Sequence, residues 1–440
     1  MKRILVFNLL LFFGCFAQMG LSQNAVFSPL DVTGLNSIPG IFSTPSANVM
    51  WTGMFGFSST NSKYYGFTTN SGTSFTLAAI PEPLNRGFSG IYALNSDTVW
   101  AGLTDYNGTA GGAIWKTNNA GASWTQQTTS EFAGGFLNAI CFFNSDSGLA
   151  VGDPNGGYFE IYTTSNGGAS WLRVSQMNIP SPLTNEYGYV NKYSKIGNRV
   201  WFSTSAGRVY RSYDKGYNWS VSAVDSTFTS CAINMNDSVN GVAHNDAAAS
   251  SYVKVTHDGG ISWTTQNLTQ MISINNVSAL PNSGSSYVFK NYPFNIYATS
   301  DNFATYSSIA FWNISYYDIL MFNHSIGWTQ SAGPDWTQSI VKIQNLTTGL
   351  ISNELNLLDT KLFPNPITSD AGIVTYSLKD RSDVKISLFD LTGKLIKVTE
   401  VNSEIGQHSV VFDFRDVSKG IYLLQVSNGL ISSKIKVLRQ

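Results

Sequence analysis

The chain has 440 residues, 43% of them hydrophobic and 12% charged, and a formal net charge of -1. Between residues 23 and 355, 13 Lys/Arg stand against 18 Asp/Glu, which leaves no basic stripe for a phosphate backbone, so nucleic acid is not an expected partner. Few charges combined with many aromatic, Gly, Ser, Thr and Asn residues fit an all-β chain rich in turns.

Met1-Lys2-Arg3 followed by the mostly apolar run Ile4 to Ala17 reads as a secretory signal peptide over residues 1–22, with cleavage expected near Ser22-Gln23. No later stretch approaches about 18 uninterrupted apolar residues, so no transmembrane segment is expected. The mature chain keeps two cysteines, Cys141 and Cys231, in matching strands of repeats two units apart. Direct bonding would need their Cα atoms within about 7 Å, and both read instead as small buried hydrophobes.

From residue 68 onward one eight-residue pattern returns, Ser/Thr-x-Asp/Asn-x-Gly-x-Ser/Thr-aromatic, as in Thr164 to Trp171. Its acidic or amide position falls at Asn70, Asn119, Asn166, Asp214, Asp258 and, in a worn copy with Phe303 in place of the Gly, Asp301. The steps are 49, 47, 48, 44 and 43 residues, a period that marks stacked supersecondary units. Each unit reads as a four-stranded meander: in the third, Leu137 to Phe143, Gly148 to Gly152, Phe159 to Thr164 and Trp171 to Val174. The first unit opens at about Pro45, and a seventh is carried by Met321 to Asn345 without the turn pattern. Seven such units describe a seven-bladed β-propeller, which leaves only short, protected sheet edges. The segment Asn24 to Thr33 is expected to supply the outer strand of unit seven and close the ring.

The turn chemistry explains the residue types. A short Asp/Asn side chain accepts from backbone amides two residues on, Gly supplies positive φ, and the aromatic buries a large face. This pattern resembles the Asp-box, or bacterial neuraminidase repeat, of sialidases, xyloglucanases, sortilin-like receptors and photosystem assembly-factor-like propellers, over roughly residues 24 to 355. The resemblance implies that the box is the turn between the third and fourth strands of each blade. Its six Asp/Asn positions, spread around a ring, hold blades and do not converge on an ion.

After about Leu355 the rhythm stops and Lys becomes common. Six or so short strands, from Gly372 to Leu378 through Ser433 to Val437, suit a small β-sandwich. Phe363-Pro364-Asn365-Pro366, Phe389-Asp390-Leu391-Thr392-Gly393, Lys419 to Val426 and Lys434 to Val437 resemble the C-terminal sorting domain of the Bacteroidetes type IX secretion system. The repeats give a propeller over 23–355, and the sorting-domain resemblance implies a tail over 356–440 read by the type IX machinery and a secreted or outer cell-surface protein whose tail is removed.

Strand alternation puts the loops between second and third strands, and the links between blades, on the face away from the box turns. Carboxylates and aromatics gather there: Asp105, Glu131, Asp153 and Glu186 as weak catalytic candidates, and Arg86, Tyr187, Tyr189, Trp312 and Tyr316 as a ligand rim. Such a rim can line a pocket for a glycan or a protein segment. The sialidase Arg-Ile-Pro motif is absent and only five arginines fall in the repeats, against the three that would clamp a substrate carboxylate. Arg173 and Arg211 lie near boxes, at the wrong end of their strands for such a clamp. A glycoside hydrolase needs two carboxyl groups about 5 to 10 Å apart, a spacing that sequence does not measure. His244, His257, His324 and His408 share no ligand spacing, so no metal and no cofactor are expected. The expected function is a secreted or surface binding module; the alternative is a polysaccharide-directed glycoside hydrolase.

Overall fold

A computed structural model describes residues 26–27, 37–344 and 360–440, apart from the segments 57–61, 109, 128–131, 133–134, 247–249, 269–273, 292–294, 312–314, 324–325, 333–337, 379–381, 391–393, 404–405 and 428–431. Among the described residues up to 344 there are seven four-stranded antiparallel sheets. The innermost strands are Ser37–Ser46, Gly87–Ala93, Leu137–Phe142, Gly188–Ile196, Cys231–Met235, Ile274–Ala279 and Ser315–Met321. Each neighbours the next, and the last neighbours the first, so the sheets close into a β-propeller. Six sheets are simple meanders; in the seventh, Val26–Phe27 pairs with Gln338–Gln344 as the outer strand, through Val26↔Lys342 and Phe27↔Val341. The N-terminal segment therefore closes the ring, as expected. The first blade begins earlier than Pro45: its inner strand starts at Ser37, despite Pro39 and Pro45, because an inner strand has one edge open to the axis where a missing N–H costs no ladder bond.

The repeated turn is the joint between blades. In the third blade the Thr164 hydroxyl donates to Asn166 Oδ1 at 3.0 Å and accepts from Gly168 N at 3.0 Å, while Asn166 Oδ1 accepts from Ser170 N at 2.9 Å. The amide reached is thus four residues on, not two, because the threonine takes over the nearer turn. The same bonds recur around Asn70, Asn119, Asp214, Asp258 and Asp301. Positive φ is needed at the fifth position: Gly168 has 92°, Gly216 93°, and Phe303, in the worn copy, 67°. The turn reaches the preceding blade, since Trp100 Nε1 donates to Gly167 O at 3.0 Å and Trp201 Nε1 to Gly259 O at 2.7 Å. Both indoles are fully buried. The outer strands are short: in the third blade only Leu172–Arg173 pairs. Cys141 and Cys231 are buried and unbonded, and burial pushes both thiols up to about 12.

The remaining strands form a three-stranded sheet (Lys361–Phe363, Ala371–Leu378, Gly406–Asp413) and a four-stranded one (Ser382–Phe389, Leu395–Ser403, Gly420–Ser427, Ser432–Arg439). They share a core that includes Val374, Tyr376, Ile386, Leu388, Phe412, Phe414 and Val426, giving the expected small β-sandwich. Among the described residues no helix is long and apolar enough to cross a membrane.

Candidate ligand face and axial channel

Each box turn bonds to the turn between the first and second strands, as in Gly167 N to Asp146 O at 2.8 Å and Gly259 N to Val239 O at 2.8 Å. The boxes therefore share one end of the propeller, and the links and the loops after the second strands share the other.

At that link end most of the expected acids are engaged within the fold. Glu82, in the first link, has a fully buried side chain that pairs with Arg86 at 3.3 Å and accepts from Trp115 Nε1 at 3.0 Å. Arg86 also donates from Nε to Gly111 O at 3.0 Å, so it braces a loop and is not an open rim residue. Asp105 is buried and accepts from the amides of Asn107 and Ala110, both at 2.9 Å, which folds its own loop. Asp153 accepts from Asn138 Nδ2 at 2.7 Å and from Gly188 N at 2.9 Å. Burial raises its carboxyl above the ordinary range against those two bonds. Glu186 is buried under a two-point pairing with Arg208, whose Nε lies at 3.0 Å, and also receives Leu183 N and the Thr204 hydroxyl. Arg173 departs from expectation too: its outer strand is so short that the guanidinium reaches the link-side loop, donating to Asn155 O and lying 4.0 Å from the Tyr158 ring centre. Glu131 and Trp312 lie outside the described residues; Tyr316 belongs to the inner strand Ser315–Met321.

Several large apolar and aromatic side chains stay exposed at this end, among polar loop residues such as Asn85, Asn107, Asn155 and Asn185. Leu84, Tyr106, Leu183 and Tyr187 are each 42–54% exposed. Tyr189 meets Tyr187 edge-to-face at 5.4 Å, and Tyr106 meets Phe136 at 5.5 Å. Among the predicted rim residues, the structure brings Tyr187 and Tyr189 together.

The axis of the molecule holds a feature beyond the expected rim. A cavity of about 580 Å³ runs between the inner strands, lined among others by Tyr92, Lys192, Tyr193, Lys195, His244 and Asn276. Its wall is stitched by side chains reaching across blades to open strand edges. Ala93 N donates to Ser43 Oγ at 2.8 Å, Met235 N to Ser194 Oγ at 3.0 Å, Ile319 N to Asn276 Oδ1 at 3.0 Å and Met321 N to Ser278 Oγ at 2.8 Å. These bonds satisfy edge amides that face the axis.

Blade four departs from its neighbours. Its register runs from Gly188↔Thr204 to Tyr193↔Phe202, so residues 189–192 oppose the single residue Ser203. Blades one, two, three and six carry a one-residue bulge at the matching place. Asn191 turns this larger bulge with φ 58°. Lys192 Nζ ties it to blade five at 2.7 Å from Asp246 Oδ2. Asp246 feels burial, which raises it, but Lys192 and His244 hold it well below the usual carboxylate range. The signal in the sequence is Lys192-Tyr193-Ser194-Lys195, with Lys195 at a strand position where blades two, three, five, six and seven carry Ala93, Phe142, Met235, Ala279 and Met321. No group of three or more His, Cys, Asp or Glu placed to hold a metal occurs among the described residues.

Residues 361–439 match the secretion system C-terminal sorting domain. The protein is accordingly secreted or carried at the outer cell surface, and its tail is handled by the type IX secretion machinery. No curated protein matches this chain. Among solved structures, YCF48 from Cyanidioschyzon merolae is similar at 14% identity and a TM-score of 0.53, covering 72% of this chain and 98% of that one. YCF48 bound to D1 peptide is similar at 11% identity and 0.52, covering 73% and 99%. The Neurospora crassa Pan2 WD40 domain is similar at 10% identity and 0.50, covering 70% and 89%. At such identities the likeness is one of fold, that of a β-propeller.

Proposed function

We propose that this chain is a secreted or cell-surface binding module, an Asp-box propeller over residues 23–355 that holds a glycan or protein ligand on its link face, delivered by a removable sorting tail over 356–440 after loss of a signal peptide. The observation that supports this reading is that Leu84, Tyr106, Leu183 and Tyr187 stay exposed at the link end, Tyr187 against the half-buried Tyr189, beside carboxylates already engaged by the fold. Aromatic rings at a solvent boundary offer flat apolar area and a polar hydroxyl, which suits sugar rings and extended peptides alike. A YCF48 propeller is found with a peptide, which keeps a protein ligand beside a glycan within this reading.

The alternative, a polysaccharide-directed hydrolase, requires one carboxyl to donate a proton and another to act as base or nucleophile about 5 to 10 Å away. Asp105 and Glu186 spend both oxygens on backbone amides, a threonine and an arginine, while Asp153 spends Oδ1 on an asparagine and a backbone amide, so two of the three are committed to the fold. Retention of the purified protein on immobilised polysaccharides and peptide arrays tests the proposal, with reducing-sugar release followed in parallel. Tyr187→Ala is expected to weaken retention at least tenfold with an unchanged melting temperature. Retention that ignores Tyr187→Ala, or turnover of a bound polysaccharide, would overturn it.

A further inference from the structure

The axial channel holds polar groups that the fold leaves short of hydrogen bonds or counter-ions. His244 is 1% exposed, lines the cavity, and neither ring nitrogen has a hydrogen-bond partner among the described residues. The nearest carboxylate oxygen, Asp246 Oδ1, stands 3.8 Å from Nε2. A buried imidazole left in that state forfeits the hydrogen bonds it would make in water, and such a group calls for an explanation.

Three residues below Lys192, about 10 Å along the strand at ordinary strand rise, Lys195 presents a second anomaly. Its Nζ lies 5.8 Å from the Tyr92 ring centre and 5.5 Å from that of Phe143, and no carboxylate among the described residues pairs with it. Its electrostatic neighbour is Cys141, which in turn neighbours Tyr92 and Tyr193. Burial holds the thiol and both phenols protonated, with Tyr193 and Tyr92 pushed well above the usual phenol range. The ammonium is therefore the one charge of this cluster. Burial also lowers its own proton affinity, the response of a cation without a counter-ion. Ring faces relieve part of that cost, yet a carboxylate would relieve more.

We propose that the axial channel is a binding pocket for a small organic carboxylate, which pairs with Lys195 beside the Tyr92 and Tyr193 hydroxyls while a polar group at its other end reaches His244. A cavity of about 580 Å³ lies within the range of small-molecule sites. The occupant class follows from the charges: among the described residues, one uncompensated cation and neutral donors favour an anion, and the phenols and imidazole favour one carrying further hydroxyls or amides. The proposal is independent of the rim, since a channel ligand can bind whether or not a polymer lies across the face.

Two sources share this chemistry, acidic sugars and acidic amino-acid residues, and calorimetric titration separates them. The purified protein is titrated with glucuronate and with N-acetylglutamate, each against its neutral counterpart, glucose and N-acetylglutamine. At least one acid is expected to bind one-to-one and at least tenfold tighter than its neutral partner, and the acid that does so identifies the source. Lys195→Met should weaken that binding at least tenfold, Lys195→Arg should stay within about threefold of the wild type, and Tyr217→Ala on the turn face should change nothing. Equal binding of acid and neutral partner, no binding of either acid, or unchanged binding by Lys195→Met would overturn the proposal. Should Lys195→Met fail to fold, the acid-against-neutral comparison on the wild type decides alone.

Discussion

At the turn end of the propeller six loops repeat one set of hydrogen bonds around Asn70, Asn119, Asn166, Asp214, Asp258 and Asp301; at the link end each loop is braced in its own way, by Glu82–Arg86, by Asp105, by Asp153–Asn138 or by Glu186–Arg208. The repeated end answers a single mechanical demand, fixing each blade to the one before it, so one solution recurs. The link end has no common demand, and there exposed tyrosines and leucines stand beside buried acids. The buried acids of the link end are scaffold like the box residues, and both ends leave large apolar side chains exposed, Leu84, Tyr106, Leu183 and Tyr187 at one and Tyr213, Tyr217, Val239 and Ile261 at the other.

This comparison is broken most severely at the joint between blades. Trp100 stacks on Phe142 with ring centres 3.6 Å apart and donates to the Gly167 carbonyl of the next blade. Trp100→Ala removes a fully buried indole and is expected to cost about 3–5 kcal/mol, read as a fall in the denaturant midpoint. Tyr187→Ala at the link end should stay within about 0.5 kcal/mol of the wild type. Comparable losses from the two substitutions would remove the distinction between the ends.

A smaller effect is expected within the turn itself. Gly216 has φ 93°, and a methyl group there would lie 2.5 Å from Leu149 Cδ1 of the preceding blade. Gly216→Ala combines backbone strain with overpacking and should destabilise by about 1–3 kcal/mol. The turn at Phe303 tolerates a side chain at φ 67° because the ring is buried against Tyr287 and Phe289, with centres 5.2 and 5.0 Å away. Phe303→Gly should therefore destabilise although it relieves the backbone, and chemical denaturation of the two variants checks both signs.

The turns were legible in the sequence because their geometry restricts residue type at five of eight positions, and the period then gave the blades and the closing strand. The state of each acid was not legible, because its partner lies elsewhere in the chain. Trp115 is 33 residues from Glu82 and Arg208 is 22 from Glu186; only Arg86, four residues from Glu82, was near enough to suspect. The channel escaped for a different reason. An inner strand looks like any other core strand in sequence, and nothing in Lys192 to Lys195 says which edge of its sheet faces the axis.

The smallest expected effect distinguishes turns built on Asp from those built on Asn. Burial works to raise Asp258, but bonds from the Ser262 hydroxyl and amide, the Thr256 hydroxyl and the Ile261 amide outweigh it and bring the carboxyl down to about 2. Asp214 and Asp301 are likewise held below the usual range, against burial, by Asn218 and Thr305 respectively. A carboxyl depressed in the folded state favours folding while the pH stays above its unfolded value of about 3.9, and that contribution fades as the pH falls through the folded value. The Asn70, Asn119 and Asn166 turns have no such titration. Asp258→Asn keeps a carbonyl oxygen to accept from Ser262 N and removes one titrating group, so its melting temperature should fall less steeply than the wild type's between about pH 4 and pH 2. Parallel curves for the two proteins would mean that the carboxylate charge adds nothing to what the amide supplies in the other three turns.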